Sequence, residues 1–215
     1  MRNSEQPGSP MPEPTDANVL DADVPETDRA DEDRAQWGPL AALPGNPMMW
    51  LLIWSELAVF SLGLVGFAIA WILDPETFRQ SQATLNRLAG AINTMVLVTS
   101  GFCAALAVNA QSRGQGRAAR LWLAGACALG LVFLAVKSVE YADKITHGIG
   151  LETNTFYTLY YLLTGFHALH VVMGIIILII VGWRNSLENL ETGAAFWHMV
   201  DLIWVLLFPV IYLMR

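Results

Sequence analysis

With 215 residues, 54% of them hydrophobic and only 14% charged, the chain belongs to the membrane class and has no room for a soluble domain. The formal net charge of −7 resides in residues 1–43, where ten acids face Arg2, Arg29 and Arg34; the rest of the chain has nine acids and nine bases. An acidic balance of this kind gives no electrostatic footprint for nucleic acid, and no nucleic-acid partner is expected.

Residues 1–43 are acidic, rich in Pro and short of apolar residues, so they cannot bury enough surface to offset their ordering entropy. They are predicted to be a disordered tail, a solvated extension or a partner-docking element. The tail has no apolar h-region, so the first membrane span is expected to act as an uncleaved signal anchor.

After Pro44-Gly-Asn-Pro47, five apolar stretches follow at roughly 47–73, 89–110, 118–140, 156–181 and 195–214. About 20 apolar residues in a helix cross a hydrocarbon core of about 30 Å, and each stretch meets that length. The fold predicted for residues 44–215 is therefore all-α, a polytopic bundle of five transmembrane helices. Pro47 suits a first helical turn, and Asp74-Pro75 closes the first span. Residues 74–88 are expected to form a polar loop with an amphipathic turn, Gln111 to Arg120 a short loop, and Arg184 to Gly193 the last separator. His147, Gly148 and Gly150 are expected to break the chain after the third span.

The loop cluster Arg113, Arg117 and Arg120 favours a cytoplasmic N-terminus by the positive-inside rule. Ser61, Gly63 and Gly66, with Ser100, Gly101, Gly165 and Gly174 in other spans, allow close helix packing or line a cleft for lipid tails. Cys103 and Cys127 sit in separate spans without CxxC spacing and read as small buried hydrophobes.

Ionisable groups inside hydrocarbon are expensive, so those present mark where function is sought. Glu56 lies about 13 Å along the first span, with no basic residue within a turn; desolvation then favours a neutral carboxyl. It reads as a proton site, an anchor for lipid or a partner helix, or a structural acid bonded to another helix. His167 and His170 share a helix face, and His198 and Asp201 repeat the i, i+3 spacing. With Glu56 and Glu140 these types suit a carboxylate–histidine metal site, although the Glu-x-x-His pairing of di-iron bundles is missing and Glu140 and His198 are expected near opposite faces. Histidines bonding across helices explain the pattern more simply. Lys137 and Glu140 are expected to neutralise each other near the outer face, the lysine stem reaching towards the interface. Tyr141, Tyr157, Tyr160 and Tyr161 read as an aromatic belt there, with Trp183 and Trp197 at the inner interface.

There is no CxxCH, no cysteine-rich cluster motif and no Walker or dinucleotide loop, and four histidines are too few for two haems and a copper centre. No cofactor of the chain's own is expected apart from bound phospholipid.

Several segments taken together resemble subunit III of the haem–copper oxidases. They are Trp50-Leu-Leu-Ile-Trp-Ser-Glu-Leu-Ala-Val-Phe60, Ile92-Asn-Thr-Met-Val-Leu-Val-Thr-Ser-Gly101, Lys137-Ser-Val-Glu-Tyr141, Thr164-Gly-Phe-His-Ala-Leu-His-Val171 and Phe196-Trp-His-Met-Val-Asp-Leu-Ile-Trp204. Five such segments in order, over about residues 47–215, match the five-helix form, which lacks the first two helices of seven-helix members. Pro44-Gly-Asn-Pro-Met-Met-Trp50, Tyr157-Thr-Leu-Tyr-Tyr161 and Leu207-Phe-Pro-Val-Ile-Tyr-Leu-Met-Arg215 further resemble the NorE-type branch associated with nitric oxide reductase.

The resemblance implies a non-catalytic subunit in a bacterial inner membrane. It would support a catalytic subunit, of a cytochrome oxidase or a nitric oxide reductase, that alone carries haem and copper, and it would hold phospholipid in a helical cleft. By the same resemblance Glu56 corresponds to the family's reactive buried carboxyl, and Glu140, His167, His170, His198, Asp201 and Trp204 to its polar signature. The rivals are an independent intramembrane metalloenzyme built on the His and carboxylate pairs, and a small transporter with Glu56 as proton carrier. Internal repeats and broken helices, which a transporter usually shows, are not visible in the sequence.

Overall fold

A computed structural model describes residues 47–184 and 186–214. The acidic tail predicted over 1–43 lies outside the described residues. Among the described residues there are six α-helices and no strand: α1 Pro47–Leu73, α2 Pro75–Ala83, α3 Arg87–Ser112, α4 Gly116–Thr146, α5 Thr155–Arg184 and α6 Leu187–Phe208, the last continued by a wide turn over Pro209–Leu213. Five of them, all but α2, are long and apolar enough to cross a membrane.

The helix ends are set by local chemistry. Asp74, Asn86 and Ser186 are N-caps whose side chains accept from the backbone N–H groups of Thr77, Ala89 and Asn189 at 3.3, 3.0 and 3.3 Å. Gly114 and Gly148 stop α3 and α4 at φ +73° and +75°, the left-handed region that only glycine enters without strain. In both stops the following residue's N–H reaches back five positions, Gln115 to Ala110 O at 2.9 Å and Ile149 to Lys144 O at 3.0 Å, satisfying carbonyls left open at the helix end.

Four expected boundaries move for one reason: hydropathy marks where a helix turns apolar, whereas caps decide where it is a helix. The short loop expected from Gln111 to Arg120 shrinks to residues 113–115, because α3 runs to Ser112 and α4 starts at Gly116. The polar loop expected over 74–88 is mostly α2, capped by Asp74 and burying Phe78, Ser81 and Gln82. The third span continues past Glu140 to Thr146, where Gly148 stops it. The separator expected from Arg184 to Gly193 is far shorter, because Ser186 starts α6 at Leu187.

Helices α3, α4, α5 and α6 form the packed bundle. Trp197 of α6 is fully buried in it, with its ring against Gly130 of α4 and Gly174 of α5; a methyl on either glycine would come within 2.8 and 2.6 Å of ring carbons. Its indole N–H donates to Ser100 Oγ at 3.1 Å, and that hydroxyl donates to Ala126 O at 2.7 Å. The interfacial position expected for Trp197 is thus replaced by a core one, since two glycines open a slot the size of an indole. Trp183 does lie exposed.

α1 is peripheral. Among its described side chains it buries only Phe60 and Phe67. Phe67 closes an aromatic trio with Phe78 of α2 and Phe156 of α5, with ring centroids 5.2–5.9 Å apart. Phe60 meets Phe166 of α5 at 5.2 Å, and Leu163 fills the space beside Gly63.

Candidate functional site

The polar side chains separate into three groups at different places in the bundle. The first lies near the Thr146 end of α4. Lys137 is 2% exposed, and its three ammonium hydrogens are all used: on Glu140 Oε2 at 3.0 Å, Tyr160 OH at 3.1 Å and Tyr212 OH at 3.0 Å. Both phenols then donate to Glu140 Oε1 at 2.8 Å. The ammonium also sits 5.0–5.6 Å from the ring centroids of Tyr141, Tyr160, Trp204 and Tyr212. A buried ion pair survives desolvation only when such additional bonds satisfy both partners, as they do here.

Lys137 therefore does not reach out to the interface as expected, and Tyr141 and Tyr160 are inward-facing partners rather than members of a belt. Tyr141 donates to Thr164 Oγ1, which donates to Tyr160 O. Tyr212 is the member that sequence reasoning missed. It is brought in by the wide turn after Pro209, which has no N–H to continue the α-ladder; Met214 N–H closes the turn on Pro209 O at 3.0 Å, and Gln82 Nε2 holds Ile211 O at 3.1 Å. A signal existed for the rest, because Tyr157, Tyr160, Thr164 and His167 follow one stripe of α5 at heptad spacing, and all four are buried.

In the second group, Glu56 Oε2 of α1 lies 2.9 Å from His170 Nε2 of α5. The other ring nitrogen, Nδ1, donates to Phe166 O at 2.9 Å. That puts a hydrogen on Nδ1 and leaves Nε2 facing the carboxyl. The sequence placed no base within a turn of Glu56; the fold brings one from another helix. Phe60 and Phe166 stack their edges against the imidazole at 5.4 and 4.6 Å. Glu56 keeps a side-chain exposure of 21%.

His167, one turn before His170, does not join this pair. It is fully buried between Trp204 and Phe133, at centroid distances of 5.1 and 5.6 Å, and neither ring nitrogen has a hydrogen-bond partner. Trp204 in turn donates its indole N–H to Thr94 Oγ1 at 3.0 Å.

The third group lies where α6 crosses α3. Asp201 packs its carboxylate on the bare Cα of Gly101, where any Cβ would overlap Oδ2, and its Oδ1 is buried without a hydrogen-bond partner. His198 is exposed beside it, with Nδ1 3.4 Å from the position that same Cβ would take. Because α6 begins at Leu187, His198 sits about 17 Å along the helix, deeper than the inner-face position expected from hydropathy.

The histidine–carboxylate pairs thus go to separate places. Among the described residues no three His, Cys, Asp or Glu side chains converge at metal-binding distance. Cys103 and Cys127 are free thiols.

Residues 84–215, which take in α3 to α6, match the family model described as cytochrome c oxidase subunit III. The chain is 37% identical over 132 residues to "Cytochrome c oxidase subunit 3" of Thermostichus vulcanus, covering 57% of this chain and 64% of that protein. It is 30% identical over 174 residues to the protein of the same name from Synechocystis sp., covering 76% and 73%. A "Probable cytochrome c oxidase subunit 3" of Nocardia farcinica is 28% identical over 182 residues, with 80% and 90% covered. The chain therefore spans less than two thirds of the Thermostichus protein and most of the Nocardia one.

Proposed function

The chain belongs to the cytochrome c oxidase subunit III family, and from that premise we propose that it is a non-catalytic membrane subunit packing against a haem- and copper-bearing catalytic subunit in a bacterial inner membrane. The observation that carries this reading is the way two of the polar groups use one another's hydrogen bonds. Lys137, Glu140, Tyr160 and Tyr212 use one another's hydrogen bonds, and Glu56 and His170 bond to each other across α1 and α5. Such groups brace a bundle; they are not arranged around a reacting atom. Haem and copper would be held by the partner alone.

The same reading assigns phospholipid to the side of the bundle where α1 stands apart. There α1 meets α5 through Phe60, Phe67 and Glu56, and Glu56 stays partly exposed while its carboxyl bonds His170. The relatives' names support an oxidase as the partner complex, whereas segments 44–50, 157–161 and 207–215 support the nitric oxide reductase branch. An N-terminus on the cytoplasmic side is favoured by Arg113, Arg117 and Arg120 at the turn from α3 into α4.

Affinity purification of the full chain from native membranes in mild detergent, with mass spectrometry and an optical spectrum, tests the proposal. A haem-bearing membrane subunit is expected to co-purify, and its identity decides between oxygen and nitric oxide reduction. Recovery of the chain alone, haem-free and with stoichiometric metal, would instead support an independent metalloenzyme.

A further inference from the structure

A groove of about 450 Å³ runs between α4 and α5, at the end of the bundle where α4 begins and α5 finishes. Leu123 and Leu178, 5% and 1% exposed, form its floor, and exposed Leu131 and Ile179 stand at its edges. Its walls recede where Ala124 and Ala128 of α4 and Gly182 of α5 line it. A methyl on Gly182 would stand 3.2 Å from Leu123 Cδ1, so the two helices are close at the bottom of the groove.

The mouth of the groove is charged. Exposed Arg120 lines it, and so does Trp183, 85% exposed, a residue type that sits at the membrane–water interface. Arg113, Arg117 and Arg184 lie at the same end of these helices. No acidic side chain lines the groove, and among the described residues none of the four arginines forms an ion pair, Glu188 and Glu191 at the start of α6 included. Arg120 lies about 6 Å from the Gly116 end of α4, and Leu131 about 16 Å further along, which is half of a hydrocarbon core about 30 Å thick. An acyl chain of one leaflet therefore runs the length of the groove with its headgroup beside Arg120. A soluble anion would use the arginine and leave the apolar length empty; a neutral lipid would fill the apolar length and leave the arginine without a counter-ion. Basic pockets between transmembrane helices suit anionic headgroups.

We propose that the α4–α5 groove headed by Arg120 is a binding site for an anionic phospholipid, whose phosphate accepts from the Arg120 guanidinium and whose acyl chain lies between Leu131 and Ile179. The planar guanidinium matches two phosphate oxygens at once, which an isolated ammonium does not. This site is separate from the lipid position assigned to the side of α1. It depends neither on that assignment nor on which catalytic subunit is the partner.

The full chain is purified in mild detergent, stripped of lipid and titrated with dioleoyl phosphatidylglycerol or dioleoyl phosphatidylcholine, with bound lipid counted by native mass spectrometry. Binding of the anionic lipid roughly fivefold tighter than the zwitterionic one is expected, the effect of one basic residue at a membrane surface. Arg120→Gln should erase that preference. Arg113→Gln removes an arginine of the same end that does not line the groove, and should keep it. Ala128→Trp fills an exposed position of the groove, leaves every arginine in place and should lower binding of the anionic lipid to the level of Arg120→Gln. Equal affinity for the two lipids would overturn the inference. Equal losses in Arg113→Gln and Arg120→Gln would overturn it too, by showing that the arginines act only as a diffuse charge, and so would unchanged binding in Ala128→Trp. In native membranes a photo-crosslinking amino acid at Ile179 should reach lipid; crosslinks to another polypeptide in its place would make the groove a protein contact and sink the proposal. None of these outcomes bears on whether a haem-bearing subunit co-purifies, so the proposed function is tested separately.

Discussion

Lys137 carries a charge into the bundle because three oxygens take its three hydrogens, and removing any one of them leaves the rest exposed to the cost of burial. Lys137→Met alone should leave Glu140 as an unpaired buried carboxylate and lower stability by about 3–5 kcal/mol. The double variant Lys137→Met, Glu140→Gln should recover much of that loss, and a double-mutant cycle on the detergent-solubilised chain, read by thermal unfolding, measures the difference. Tyr212→Phe removes one phenol that both accepts from Lys137 and donates to Glu140, and should cost about 1–3 kcal/mol. Equal stability of the Tyr212→Phe and parent chains would show that the terminal turn contributes nothing to the cage. These residues were visible in the sequence as types but were assigned to the interface. A lysine near a helix end reads as interfacial until the helix is known to run on to Thr146.

At the scale of elements, two glycine devices govern the bundle. The slot for Trp197 needs Gly174 on α5, where an added methyl would meet the indole at 2.6 Å. Gly174→Ala should therefore force the ring or α5 to shift and cost about 1–3 kcal/mol, seen as a lower unfolding temperature with Trp197 fluorescence moved to the red. A fluorescence maximum and unfolding temperature unchanged from the parent would show the slot to be roomier than described. Gly148 ends α4 with φ +75°, so Gly148→Ala should cost about 1 kcal/mol through backbone strain alone, with no change in fluorescence. The sequence marked Gly148 as a breaker, and the structure agrees. It did not mark α2 as a helix or Leu187 as the start of α6, because a polar helix carries no hydropathy signal and is legible only through its caps, Asp74 and Ser186.

For the molecule as a whole, the acidic tail and the five spans are separate in composition. Deleting residues 1–43 removes ten acids and little apolar surface, so insertion of the spans and recovery of the haem-bearing partner should be unchanged. Loss of the partner on deletion, with the spans still inserted, would make the tail a docking element. The peripheral place of α1 gives a second expectation. Glu56→Leu leaves His170 Nε2 without its partner and should loosen α1 from α5 before the four-helix bundle unfolds, measurable as earlier proteolysis in α1.

What the sequence determined by itself is the fold class, the five spans and the family, because each depends on local quantities: runs of apolar residues, proline and glycine punctuation, and short motifs in order. It also singled out Glu56, Glu140, His167, His170, His198, Asp201 and Trp204 as polar or signature residues of the spans. Their pairing was decided only by the tertiary structure. Glu56 met a base because α1 lies against α5, Lys137 met two phenols because a turn after Pro209 returned Tyr212 to α4, and Asp201 packs its carboxylate on Gly101 of α3 with Oδ1 unpaired. Spacing along one helix fixes which face a side chain occupies, but its partner is set by the helix across from it, and that contact lies beyond any local pattern.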